Sequence, residues 1–161
     1  MRQKTQPSNT KFGLPQIVFF GAFRLSMIWD LLTTFLGTLL ILDGTHFVAL
    51  GLSLVGTLIA WAFNFFTWPI WNIRGIKAIE RHLLRFALIL AIVFDFVTSF
   101  ICNVSYVALG QFTFGRSVVF NEIFSRLTAD QFILIFVLTV FTTISPMMLR
   151  RTRYDNPNFL V

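Results

Sequence analysis

Asp30, Thr33, Thr34, Gly37 and Thr38 stand at i, i+3, i+4, i+7 and i+8 of an otherwise apolar stretch. Asp95, Thr98, Ser99, Cys102 and Asn103 repeat that spacing 65 residues later. Residues three and four apart share a helix face, so each stretch reads as an apolar helix with one polar seam headed by a carboxyl group. An aspartate at the centre of a membrane span lies about 2.5–3.5 kcal/mol uphill on insertion scales and marks a functional site by default. The seam residues Asp30, Thr33, Thr34, Asp95, Thr98, Ser99 and Asn103 are the candidate site, and what they can do is hold a proton or a cation. The plainer alternative is that each carboxyl group bonds a hydroxyl or amide of a neighbouring helix and fastens the bundle. Span hydroxyls also bond back to the carbonyl four residues earlier.

Other polar residues are weaker candidates. Ser53, Gly56, Thr57, Ala60 and Asn64 follow one face of another apolar run. That is a small-residue stripe suited to close helix approach, so Gly56, Ala60 and Asn64 read as packing residues. Thr139, Thr142, Thr143 and Pro146 are in register in a further run. Pro69 and Pro146 lack an N–H and free the carbonyls of Phe65 and Thr142, which predicts a kink at each. Trp68 and Trp71 sit where an aromatic belt belongs. A pigment or quinone near Trp61 and the phenylalanines is the lesser reading, and no cofactor is assigned.

Enzyme chemistry finds no support. The chain has no HExxH, GxSxG or P-loop, and no histidine deep in a span to activate Ser99 or Cys102. His46 and His82 fall at opposite ends of the apolar runs, so they cannot share one metal within a chain. The single cysteine, Cys102, rules out an internal disulfide or CxxC motif.

The elements that must carry these residues follow from composition. The 161 residues are 56% hydrophobic and 12% charged, against about 45–50% and about 25% in soluble domains. A span needs about 20 mostly apolar residues, and four runs qualify, at about 25–42, 47–71, 86–109 and 132–149. None has the charged face that a helix of a soluble bundle carries. The expected fold is an all-α integral membrane domain of four transmembrane helices in two tandem hairpins, with a polar tail at 1–16 and a basic tail at 150–161.

The +6 net charge reads as an orientation signal, with no nucleic acid as partner. Arg2, Lys4, Lys11 and Arg24 precede the first run; Arg74, Lys77, Arg81 and Arg85 separate the second and third; Arg150, Arg151 and Arg153 follow the fourth. Only Arg116 and Arg126 fall on the other side. The positive-inside rule then puts both termini inside, facing anionic lipid headgroups, in a bacterial inner membrane or an organellar equivalent.

Between the runs, residues 43–46 carry turn chemistry. Ile73, Ile76 and Ile79 among Arg74, Lys77, Glu80 and Arg81 predict a short interfacial helix over 72–82. Val119, Phe120, Ile123, Phe124 and Leu127 predict a second, on the other side. Thr128 and Gln131 form a capping-box start for the fourth run. Residues 29–38 and 94–103 share three identical positions in ten, Asp, Thr and Phe, and Pro69 and Pro146 are each followed five residues later by an arginine. This raises a duplication, with the halves parallel and related by an axis along the membrane normal.

The expected function is a non-enzymatic oligomeric channel- or transporter-like subunit with its polar seam centred on Asp30 and Asp95. Alternatives are an accessory or scaffold subunit docking through the same seams, and a membrane-perturbing, holin-like effector. Either of the first two implies a homo-oligomer or a larger membrane complex.

Overall fold

A computed structural model describes residues 14–110 and 120–155, with backbone alone at 14–16, 120–121 and 153–155. The described residues form six helices: α1 (Leu14–Ile41), α2 (Phe47–Phe65), α3 (Thr67–Trp71), α4 (Ala78–Leu109), α5 (Phe120–Ser125) and α6 (Ala129–Asp155). Four of them, α1, α2, α4 and α6, are long and apolar enough to cross a membrane.

Local chemistry explains where these helices start and stop. The turn between α1 and α2 places Asp43 in the left-handed region, at φ 50°, a conformation aspartate tolerates better than most residues. His46 then caps α2, its Nδ1 accepting from the Ala49 N–H at 3.2 Å. At the start of α6 the capping box is reciprocal: Gln131 Oε1 accepts from the Thr128 N–H at 3.0 Å, and Thr128 Oγ1 from the Gln131 N–H at 3.4 Å. Pro69 cannot donate to the carbonyl four residues earlier, and the chain breaks at Phe66, between α2 and α3. α6, by contrast, continues through Pro146 as one helix.

Burial runs opposite to that of a water-soluble protein. Among the described residues, fifteen buried side chains are polar or charged and eleven are hydrophobic. Large apolar side chains such as Leu54, Leu58, Leu90, Val97, Leu134 and Phe141 are exposed on the outside. With lipid as the solvent, apolar groups gain nothing from facing inward, whereas polar groups must find partners inside.

α1 and α4 make the most extensive contact and run side by side in the same direction, with α2 and α6 antiparallel against them. The end of the bundle holding residues 43–46 is called the turn end, and the end holding residues 72–77 the connector end. At the connector end three arginines lie over aromatic rings: Arg85 over Trp71 at 5.0 Å, Arg150 over Phe65 at 4.9 Å and Arg151 over Trp68 at 5.1 Å. Arg85 also donates from Nη2 to the Trp71 carbonyl at 2.6 Å. Their charges thus stay at the bundle end while their stems cover apolar surface.

The connector departs from expectation. Residues 72–77 form no helix, because Gly75 turns the chain through φ +88°, and Ile79 belongs to the first turn of α4. α1 and α4 also reach further than the apolar runs alone, with Arg24 exposed partway along α1. On the opposite side α5 is a short helix whose Ile123 is buried with Val104 and Ile135, beside Leu127. Val119 and Arg116 lie outside the described residues.

Candidate functional site

The two polar seams meet. α1 and α4 turn Asp30, Thr33, Thr34, Asp95, Thr98 and Ser99 into the bundle, and all six are buried. The approach is close because Gly37 has no side chain: a Cβ there would stand 1.9 Å from the Thr98 carbonyl oxygen. The carboxyl groups of Asp30 and Asp95 are close neighbours inside the bundle.

Donors reach the pair across the bundle. Asn64 of α2 donates from Nδ2 to Asp95 Oδ2, and Thr143 of α6 donates to Asp30 Oδ1 at 3.4 Å. Thus the helix following Asp30 serves Asp95, and the helix following Asp95 serves Asp30. Thr34 donates to Asp95 Oδ1.

The hydroxyls form a chain with a direction. Since Thr34 gives its one proton to Asp95, its 2.9 Å bond with Ser99 must be donated by Ser99. Ser99 in turn accepts from Thr33 at 2.9 Å. The sequence Thr33, Ser99, Thr34, Asp95 crosses between α1 and α4 three times and ends on the carboxyl pair. Thr33 Oγ1 also lies 3.0 Å from the Trp29 carbonyl and 3.1 Å from that of Asp30, so its proton has backbone positions to which it can swing.

Other seam members are placed differently. Thr98 donates to the Phe94 and Asp95 carbonyls of its own helix, and Thr38 to that of Thr34. Asn103 stands away from the carboxyl pair and donates to Thr139 Oγ1 at 3.1 Å. Gly56 is partly covered, facing Phe94, while Ala60 is buried. Asn64, placed by its spacing in the packing stripe, is a direct partner of Asp95. A cavity of about 490 Å3 between α1, α4 and α6 is lined by Thr33, Cys102, Asn103 and Thr142 together with apolar side chains. Thr33 therefore joins this cavity to the hydroxyl chain.

Comparison with protein families, curated proteins and solved structures finds no match for the chain.

Proposed function

We propose that this chain is a transporter-like membrane protein whose transported species is the proton, held at the Asp30–Asp95 pair. The observation that carries this reading is the directed hydroxyl chain from Thr33 through Ser99 and Thr34 to Asp95. Hydroxyl groups both accept and donate, so such a chain relays protons without moving heavy atoms far. The carboxyl pair at its end takes up or gives back the proton. In the relay, an O–H bond forms at an Asp95 carboxyl oxygen as the Thr34 O–H bond breaks; Thr34 takes the proton of Ser99, Ser99 that of Thr33, and Thr33 is reprotonated by a hydronium ion in the cavity it borders, which leaves a neutral water molecule.

Burial of every member favours a carrier that exposes its site alternately over a permanently open pore. It also weakens the scaffold alternative in its original form, because seams that satisfy one another do not serve as docking surfaces. Assembly into an oligomer remains part of the proposal, resting on the broad apolar exterior.

The test is acid uptake into proteoliposomes carrying a pH-sensitive dye, driven by a potassium diffusion potential. The unsubstituted protein acidifies the lumen, whereas Asp30→Asn and Asp95→Asn, which keep shape and most hydrogen bonding, do not. Equal uptake by both Asn variants, with assembly intact, would show that the carboxyl groups only fasten the bundle.

A further inference from the structure

Six buried side-chain atoms in the described residues have no hydrogen-bond partner, and four of them belong to α2: Ser53 Oγ, Thr57 Oγ1, Trp61 Nε1 and Asn64 Oδ1. Their spacing of four, four and three residues keeps them along one stripe of the helix. Ser53 and Asn64 are 0% exposed and Thr57 is 2% exposed, so lipid headgroups and bulk water do not reach them. A fifth such atom, Ser105 Oγ of α4, is also buried. At ~1.5 Å per residue, Ser53 lies ~16 Å from Asn64 and Ser105 ~15 Å from Asp95. Both are displaced toward the turn end, so they mark the same depth on two helices that pack together.

A buried polar group without a partner is costly, and more so where no solvent water can replace one. Serine and threonine in a helix can escape this cost by bonding the carbonyl one turn back, as Thr67, Thr98 and Ser145 do. Ser53 and Thr57 do not. The face that α2 turns inward consists of Ala49, Ser53, Thr57, Ala60 and Asn64, with no side chain bulky enough to fill the space beside it if the helices separate slightly.

In the other half of the bundle the sixth unpartnered atom, Arg85 Nε, stands alone at the connector end. Between the carboxyl pair and the connector end, the buried side chains of α1 and α4 are Phe23, Leu88 and Ala91, and the hydroxyls of Thr67 and Ser145 are satisfied by backbone.

We infer that the α2 stripe Ser53–Thr57–Asn64 is a water-access route through which protons pass between the turn end and the Asp95 carboxyl group. Water is the one ligand that fits: it is small, it both donates and accepts, and buried waters bind two to four polar groups. Ser53 and Ser105 form the mouth of the route, Thr57 its middle and Asn64 Oδ1 its inner end, next to Asp95. A hydronium ion arriving there forms an O–H bond to an Asp95 oxygen and leaves a neutral water molecule behind. The inference rests on the proton reading above.

The test places single cysteines at 53 and 57 in the full chain in liposomes and exposes them to Ag+, a thiol-reactive monovalent cation close in size to Na+. Ser53→Cys and Thr57→Cys should react about tenfold faster than the lipid-facing Leu54→Cys and Leu58→Cys, because thiolates form in water and not in lipid. Native Cys102, also buried, gives the background in the unsubstituted protein. Reaction at 53 and 57 no faster than at 54 and 58 overturns the route. A second measurement uses Ser53→Ala and Thr57→Val, which keep size and remove the unpartnered hydroxyls. They should fold at least as stably as the parent yet take up acid about tenfold more slowly, as loss of one hydrogen-bonded step costs. Unchanged uptake by both variants also overturns the route. Fast labelling without acid uptake in the parent would leave the hydrated stripe standing and remove the proton reading instead.

Discussion

Gly37 of α1 lies directly against the backbone of Thr98 in α4: a Cβ added to the glycine would meet the threonine carbonyl oxygen at 1.9 Å and its carbonyl carbon at 2.5 Å. Backbone cannot swing aside as a side chain can, so the separation of the two helices is fixed here. That separation sets the reach between Asp30 and Asp95, and between Ser99 and Thr34. In the seam repeat Gly37 corresponds to Cys102 and Thr98 to Thr33. The crossing is tight at the first pair, whereas Cys102 and Thr33 both border the 490 Å3 cavity.

Gly37→Ala should therefore destabilise the fold by at least about 1–3 kcal/mol, the usual cost of overpacking, and lengthen the hydroxyl chain. Gly51→Ala, with nothing within 4 Å of the added carbon, should be neutral or slightly stabilising. Unfolding in mixed detergent micelles measures both. Equal stability of the two variants would mean that the helices are not in contact at Gly37.

The donors to the carboxyl pair should differ in weight. Asn64→Ala removes a bond to Asp95 from a side chain that is wholly buried, and stranding a buried acceptor costs about 1–3 kcal/mol. Thr143→Val removes a longer bond, 3.4 Å, to Asp30, and should cost less than about 1 kcal/mol, near the average for hydroxyls between membrane helices. The same unfolding assay ranks them, and a Thr143 variant worse than the Asn64 variant would reverse the assignment.

Topology gives a third prediction. Thr45, exposed in the turn, and Lys77, exposed in the connector, stand at opposite ends of the bundle. In oriented vesicles, Thr45→Cys and Lys77→Cys should label with an impermeant maleimide from opposite sides, with Lys77 on the inner face by the positive-inside rule. Labelling of both from one side would remove the four-span arrangement.

Much of this architecture is legible in the chain because one helix's period can be read without its neighbours. The i, i+3, i+4, i+7 spacing is enough to collect Asp30, Thr33 and Thr34 on one face. Thr128 and Gln131 announce their helix start because a capping box is local chemistry. What a single helix cannot reveal is which face of which neighbour it meets. By spacing alone Asn64 is one more small-stripe residue, although it reaches Asp95, and Asn103 shares a seam with Asp95 yet pairs with Thr139. Ile73, Ile76 and Ile79 imitate a helix by spacing, but Gly75 in the left-handed region breaks the connector first.

The last prediction concerns Phe23 and Leu88, which stand in matching places, each seven residues before its aspartate. They are 5% and 1% exposed, and at ~1.5 Å per residue both lie ~10 Å from the carboxyl pair toward the connector end. Two bulky apolar side chains at one depth, on the two helices that carry the carboxyl groups, should act as a dry plug in that half of the bundle. Truncation should act twice. Phe23→Ala and Leu88→Ala should each destabilise by about 2–5 kcal/mol, as cavity-forming substitutions do in well-packed interiors. The surviving folded protein should pass protons without alternating access, seen as a faster collapse of an imposed pH gradient than with the parent. Leu83→Ala, at an exposed apolar position of α4, should do neither. If the two truncations lower stability but leave the pH gradient decaying at the parental rate, Phe23 and Leu88 hold the helices together without closing a proton path.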